Sequence, residues 1–192
     1  MLIQFSVSNF LSFDKKVTFS MAAGKERKYS ERIFNNKKLK LTKLEVILGA
    51  NASGKSNLIS AFQFMQNMVL NGLPRGFSNK HYRLNPEMRN APSEFEIKIL
   101  CNSRIFSYGF SIVLSTGSIL KEYLYEHNKF DSKKVLFERD TTVGTFVVGQ
   151  YFKRPDTIAK LNNYGEDSAN DQEMLFLSII NKNKGKMFAD FP

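Results

Sequence analysis

Residues 44–56 read Leu44-Glu45-Val46-Ile47-Leu48-Gly49-Ala50-Asn51-Ala52-Ser53-Gly54-Lys55-Ser56, and from Gly49 onward they match the pattern G-x-x-x-x-G-K-[ST] completely. Each fixed position has a physical task. The glycines let the backbone curl so that successive N–H groups point inward at phosphate oxygens, above the positive end of a following helix. Lys55 is placed to reach the β- and γ-phosphates, and the Ser56 hydroxyl to take one position in the octahedral shell of Mg²⁺. At ordinary glycine usage the fixed positions meet by accident about once in a hundred chains of this length. The flanks make coincidence rarer. Leu44–Leu48 is a short, almost continuous apolar run, predicted as a strand covered on both faces and the best candidate for a central strand. Beyond the loop, Leu58, Ile59, Phe62, Met65, Val69 and Leu70 follow a helical period, and Gly72 stops it.

Toward the amino end, Ile3, Phe5 and Val7 alternate with polar residues, as do Val17, Phe19 and Met21, predicting an antiparallel strand pair. Between them Asn9-Phe10-Leu11-Ser12-Phe13-Asp14 supplies turn-forming polar groups and two aromatics to pin the turn to the core. Gly24 to Leu41 lacks an apolar period and reads as a surface loop. After the helix, residues 71–93 contain Gly72, Pro74, Gly76, Pro86 and Pro92, the mark of a long loop with room for a short helical turn. The period then changes to two: Phe95/Ile97/Ile99, Phe106/Tyr108/Phe110/Ile112, Leu120/Leu124, Val135/Phe137 and Phe146/Val148 predict a β-meander, with turns at Asn102-Ser103, Thr116-Gly117 and Asp131-Ser132. Asn170, three residues before Glu173, resembles a capping pair for a helix running through Met174, Leu175, Leu177 and Ile179. The expected organisation is a single α/β lobe. It comprises a strand pair, loop strand and helix over 1–72, a β-meander arm over 94–148, and the start of a helical region over 170–192.

The chain has 192 residues, 42% hydrophobic and 24% charged, which excludes disorder and collagen-like repetition and fits one globular domain. Its formal charge is +10. Between Lys25 and Lys43 eight cations face two carboxylates, a net +6, so this run is read either as a nucleic-acid contact or as a solvated loop. Cys101 is the only cysteine, so an intrachain disulfide is excluded, and it reads as a small packed hydrophobe. His81 and His127 fall in loop or turn surroundings without ligand spacing for a metal. The Phe106/Tyr108/Phe110 stripe reads as core. No Ser-His-Asp context and no local carboxylate pattern marks a hydrolytic centre. No basic leader precedes an apolar stretch, and no segment approaches the ~20 apolar residues of a membrane span, so a cytoplasmic protein without a membrane partner is expected.

Asn9-Phe10-Leu11-Ser12-Phe13 and the stretch Gly49 to Asn57 together resemble ABC-class P-loop ATPases of the RecF, SMC and OLD group. These begin with a strand, an N-F-x-S-F turn and a loop of the form G-x-N-x-[SA]-G-K-S-N. Phe95-Glu96-Ile97, Tyr108-Gly109-Phe110, Glu122-Tyr123-Leu124-Tyr125 and Leu136-Phe137-Glu138-Arg139-Asp140 are similar to the β-rich arm of the phage-defence branch, the RloC/AbiL-type AAA-family ATPases. The fold this implies is a P-loop NTPase of the ABC lobe I type, with a mixed core sheet and an antiparallel β-rich subdomain. The resemblance also implies a Mg²⁺-ATP site and two copies closing head to tail around ATP. It further implies coupling of ATP to an effector protein or domain in prokaryotic defence or DNA transactions. Gly49, Ala50, Asn51, Ala52, Ser53, Gly54, Lys55, Ser56 and Asn57 would hold ATP, with Lys55 the catalytic group and Ser56 the metal ligand.

That family also carries a Leu-Ser-x-Gly signature at a helix start and a Walker B strand, and no such strand is found here. Leu114-Ser115-Thr116-Gly117 spells a similar tetrad but lies between alternating strands and reads as a hairpin turn. Leu136–Asp140 is too short and charged for a Walker B. Gln172 is read either as a γ-phosphate sensor or as a solvated residue at a helix start. The expectation is therefore the amino-terminal half of a longer ATPase, in which hydrolysis needs residues outside this chain. The alternative is a basic nucleic-acid-binding module with a vestigial loop. A GTPase or kinase keeps the loop, but Asn181-Lys182-Asn183-Lys184 lacks the aspartate of a guanine motif.

Overall fold

The computed structural model describes residues 1–24, 30–35, 39–128 and 132–187. Among these residues nine strands and three α-helices follow in chain order: β1 (Leu2–Ser8), β2 (Val17–Ser20), β3 (Ile33–Asn35), β4 (Lys40–Thr42), α1 (Lys55–Asn71), β5 (Ser93–Cys101), β6 (Arg104–Val113), β7 (Ser118–His127), β8 (Lys133–Asp140), β9 (Thr145–Val148), α2 (Pro155–Ser168) and α3 (Phe176–Met187). A seven-stranded sheet runs in the order β2-β1-β5-β6-β7-β8-β9, and β3-β4 form a separate hairpin. The opening pair is antiparallel, with Phe5 opposite Phe19, and β5 to β9 form the meander that the period of two predicts.

Aromatic rings fix α1 to one face of the sheet. Phe62 stacks on Phe5 with centroids 3.8 Å apart, and Phe64 lies 5.0 Å from Phe95 and 5.4 Å from Phe10. Phe106, Tyr108 and Phe110 are buried on this same face, as a core stripe should be. Each buried ring contributes about 1.5–3 kcal/mol, so the cluster is what orients α1 and the loop at its start.

A buried ion pair docks the carboxyl-terminal helices. Arg139 of β8 lies 3.2 Å from Glu122 of β7, both side chains wholly inaccessible. Arg139 also donates to the carbonyls of Ser168 and Met174, while Glu122 accepts from the Phe176 and Leu177 N–H groups and the Tyr108 hydroxyl. Glu122 is thus the N-terminal cap of α3. The Ser178 hydroxyl then donates to a backbone carbonyl of α1, 2.8 Å away at Val69. Burial pushes the Glu122 carboxyl above its ordinary value, with Arg139 opposing.

Several sequence expectations are corrected. Leu44–Leu48 pairs with no strand, and Leu44, Val46 and Leu48 are 77%, 69% and 87% exposed. Every strand pairing in the described residues is antiparallel, so the mixed core sheet expected to receive that segment has no strand here to pair with it. Gly24–Leu41 is not wholly loop: β3 and β4 pair, and Leu41 is fully buried with Ile3, Leu100 and Ile105. The helical region begins earlier than 170, at Pro155. The last helix starts at Phe176 rather than Met174, because Glu122 caps it, and Asp171 rather than Asn170 accepts from the Glu173 and Met174 N–H groups. Cys101 is exposed at the end of β5, and His127 is a buried strand residue bonded to the Ser107 hydroxyl at 2.7 Å. The predicted turn at Asp131 lies outside the described residues. No helix among the described residues is long and apolar enough to cross a membrane.

Arg139→Met should cost about 3–5 kcal/mol in urea unfolding, because it leaves a buried carboxylate without its counter-charge; a loss below 1 kcal/mol would contradict this role. A carboxyl raised in the folded state adds stability that is present below its unfolded pKa and lost as pH rises through the folded one. The stability difference between wild type and Glu122→Gln should accordingly shrink as pH rises from about 4.3, and a constant difference would show that Glu122 does not titrate differently on folding.

Candidate functional site: the phosphate loop

The loop is built on the start of α1. Ala52 and Gly54 both adopt positive φ, 64° and 92°, which turns the chain back on itself before the helix begins. At Gly54 a Cβ would also stand 3.0 Å from the Ser12 hydroxyl, so conformation and space both call for glycine. No side chain caps α1, and its first turn holds no carboxylate. The first-turn N–H groups therefore present uncompensated positive charge to the solvent side of the loop.

Lys55 closes the ring. Its ammonium donates to the Gly49 and Ala50 carbonyls at 2.7 and 2.6 Å and reaches the Ser53 hydroxyl at 3.2 Å. These partners are exposed, so an anion with more charge can draw the ammonium across the loop mouth without breaking the core. The Ser56 side chain is exposed, and its carbonyl accepts from the Ser60 hydroxyl. At Gly49 a Cβ would fall 2.9 Å from Ser53 Oγ, inside the cradle. A curled backbone, an uncapped helix start, one ammonium and one free-standing hydroxyl form a donor set that fits a polyphosphate with its Mg²⁺.

The Asn9–Phe13 turn braces this loop from below. Asn57 donates from Nδ2 to Ser12 Oγ at 2.8 Å, and Phe13 lies against the Gly54 position. The turn is itself pinned: the Asn9 amide donates to the carbonyls of Met88 and Ala91 and accepts from the Tyr82 N–H at 3.0 Å. Sequence reading singled out both segments, while the Asn9 partners, 73 to 82 residues away, carried no local signal.

Other candidates lie elsewhere. Leu114–Gly117 is the β6–β7 hairpin turn, with the Gly117 N–H on the Val113 carbonyl at 2.8 Å. Leu136–Asp140 belongs to antiparallel β8. Gln172 is tied by its carbonyl to the Ile119 N–H at the start of β7, three strands across the sheet from β1 and so about 14 Å away at ordinary strand spacing. Of the basic run, Lys25, Arg27, Lys28, Lys37 and Lys38 fall outside the described residues.

An α/β lobe carrying this loop ahead of an aromatic-anchored helix defines a nucleotide-binding P-loop protein of the ATPase kind. The chain belongs to the family described as AAA domain, putative AbiEii toxin, type IV TA system, whose profile matches residues 44–173, more than half its length. No curated protein matches it. The matched span starts just before the loop and leaves out β1 and the bracing turn.

Gly54→Ala should lower stability by about 1–2 kcal/mol, because it forces a Cβ into left-handed backbone, and should shift the Asn9–Phe13 amides in an NMR spectrum. An unchanged melting temperature with unperturbed turn amides would show that loop and turn are not braced together.

Proposed function

We propose that this chain binds Mg²⁺-ATP through Gly49–Asn57 as the ATP-binding lobe of an ABC-type ATPase. The observation that carries the reading is the Lys55 ammonium resting on the loop's own carbonyls beside an uncapped helix N-terminus. The backbone N–H groups from Gly54 to Asn57 would hold the β-phosphate, Lys55 would reach the β- and γ-oxygens, and the Ser56 hydroxyl would serve as a ligand to Mg²⁺. Bound ATP supplies the phosphoanhydride and the metal supplies charge neutralisation. Ser12 and Asn57 brace the helix end of the loop, which reduces the ordering entropy lost on binding.

Among the described residues no carboxylate is bonded to Lys55 or Asn57, and this is compatible with a site whose water-activating carboxylate comes from elsewhere. A second copy facing the exposed loop fits the head-to-tail closure that the family resemblance implies. Defence, through an effector tied to the helical region, is the biological setting this reading favours. The family's printed toxin–antitoxin description supports it.

Calorimetric titration with Mg²⁺-ATP and Mg²⁺-GTP tests the reading, with Lys55→Ala alongside and phosphate release assayed in the same samples. ATP binding lost by at least tenfold in Lys55→Ala, without a change in circular dichroism, is the expected result. Equal ATP affinity in both proteins would overturn it, and salt-sensitive oligonucleotide binding in a chain that ignores ATP would favour the nucleic-acid module instead.

A further inference from the structure

A small hollow opens at the start of α2. It holds about 170 Å³ and is lined by Tyr151, Phe152, Lys153, Arg154 and Thr157. The phosphate loop is elsewhere: it stands where β1 finishes, whereas Arg104, which bonds to the Tyr151 hydroxyl, opens β6 at the other end of the strands. The 10 residues of β6 put about 30 Å between those ends.

The floor of the hollow is made of hydrogen-bond donors. No side chain caps α2, and Pro155 at its start has no N–H, so Asp156 and Thr157 carry the first N–H groups of this 14-residue helix and the positive end of its dipole. Thr157 is only 9% exposed, and its hydroxyl makes no hydrogen bond among the described residues. A hydroxyl so nearly enclosed is costly without a partner, and this one lines the hollow, where a ligand oxygen can supply it. Lys153 and Arg154 bring two cations to the rim. Across it the Lys134 ammonium lies 5.1 Å from the Tyr151 ring, and the Arg104 guanidinium carbon 5.8 Å from it. Against these four cations stand Asp156, exposed in the first turn of α2, and Glu126, 3.9 Å from Arg104.

We propose that this hollow binds the phosphoryl group of a small molecule, with the Asp156 and Thr157 N–H groups and the Thr157 hydroxyl donating to its oxygens and Lys153 and Arg154 neutralising its charge. A phosphate monoester carries roughly 1.5–2 negative charges and three acceptor oxygens at neutral pH. That matches the donors and the two rim cations, whereas a diester brings less charge and fewer free oxygens. The Thr157 hydroxyl sets the orientation, since it is the donor held inside the hollow. The site stands apart from the phosphate loop, so its occupancy does not require ATP.

An amide-resolved NMR titration with inorganic phosphate and with glycerol phosphate tests this at constant ionic strength. Lys55→Ala is run alongside, because phosphate can also enter the phosphate loop. Saturable shifts centred on Asp156 and Thr157 are expected in both proteins. The tighter of the two ligands identifies the source as free phosphate or as an ester, and dimethyl phosphate, a singly charged diester, should bind about tenfold more weakly than either. Thr157→Val should weaken binding about tenfold, and Lys153→Gln/Arg154→Gln by at least as much, with circular dichroism unchanged. The exposed pair keeps the test valid if Thr157→Val disturbs the first turn of α2. Wild-type affinity in both variants would overturn the proposal, as would dimethyl phosphate binding as well as the monoester. So would shifts at Asp156 and Thr157 that fail to saturate, that chloride reproduces, or that vanish in Lys55→Ala.

Discussion

The phosphate loop depends on the amide of Asn9, which holds the turn beneath it. Asn9 sits at positive φ, 2% exposed, with its side-chain nitrogen on two carbonyls of the 85–92 segment and its side-chain oxygen on the Tyr82 N–H. Its own carbonyl accepts from the Ser93 hydroxyl at 2.5 Å. Asn9 therefore ties a buried turn and the long return loop through its side chain and the first residue of β5 through its backbone carbonyl, satisfying backbone groups that would each cost about 1–3 kcal/mol if left unpaired. Phe10, fully buried between Phe64 and Phe95, locks the same turn to α1 and the sheet. Everything above that turn inherits its position, including Ser12 and the phosphate loop resting on it.

The two ends of α1 are consequently held in different ways. Its start is left open, with exposed carbonyls bonded to Lys55 and N–H groups without a side-chain cap, a donor arrangement that suits an anion. Its last turns are held by Ser178 of α3, and α3 in turn by the inaccessible Glu122–Arg139 pair. A rigid helix between an open cradle and a charged anchor lets binding energy at the loop go into phosphate contacts rather than into ordering the helix.

Much of this was legible in the sequence because its causes are local. The glycine-lysine-serine spacing, the 3.6 period after it and the period of two in the meander each report backbone geometry over a few residues. The Leu44–Leu48 run misled because apolar continuity measures what a segment prefers, not whether a partner strand exists beside it. α2 was missed since Asn162, Asn163 and Gly165 are poor helix formers that dilute its pattern, although Pro155 and Asp156 stand where a helix start favours them. Glu122 and Arg139 looked like ordinary strand residues. Their burial arises only when α3 packs over β7 and β8, a tertiary event with no signature in spacing. His127 was hidden in the same way, its strand end read as turn.

The most direct test of the central claim is an NMR titration of amide-labelled protein with Mg²⁺-ATP and, separately, with AMP. The account predicts that ATP shifts the amides of Gly54, Lys55, Ser56 and Asn57 together with Ser12, while AMP, lacking the β- and γ-phosphates, leaves them in place. Equal shifts with both nucleotides, or ATP-induced shifts that spare the loop, would contradict a phosphate cradle braced by the Asn9 turn.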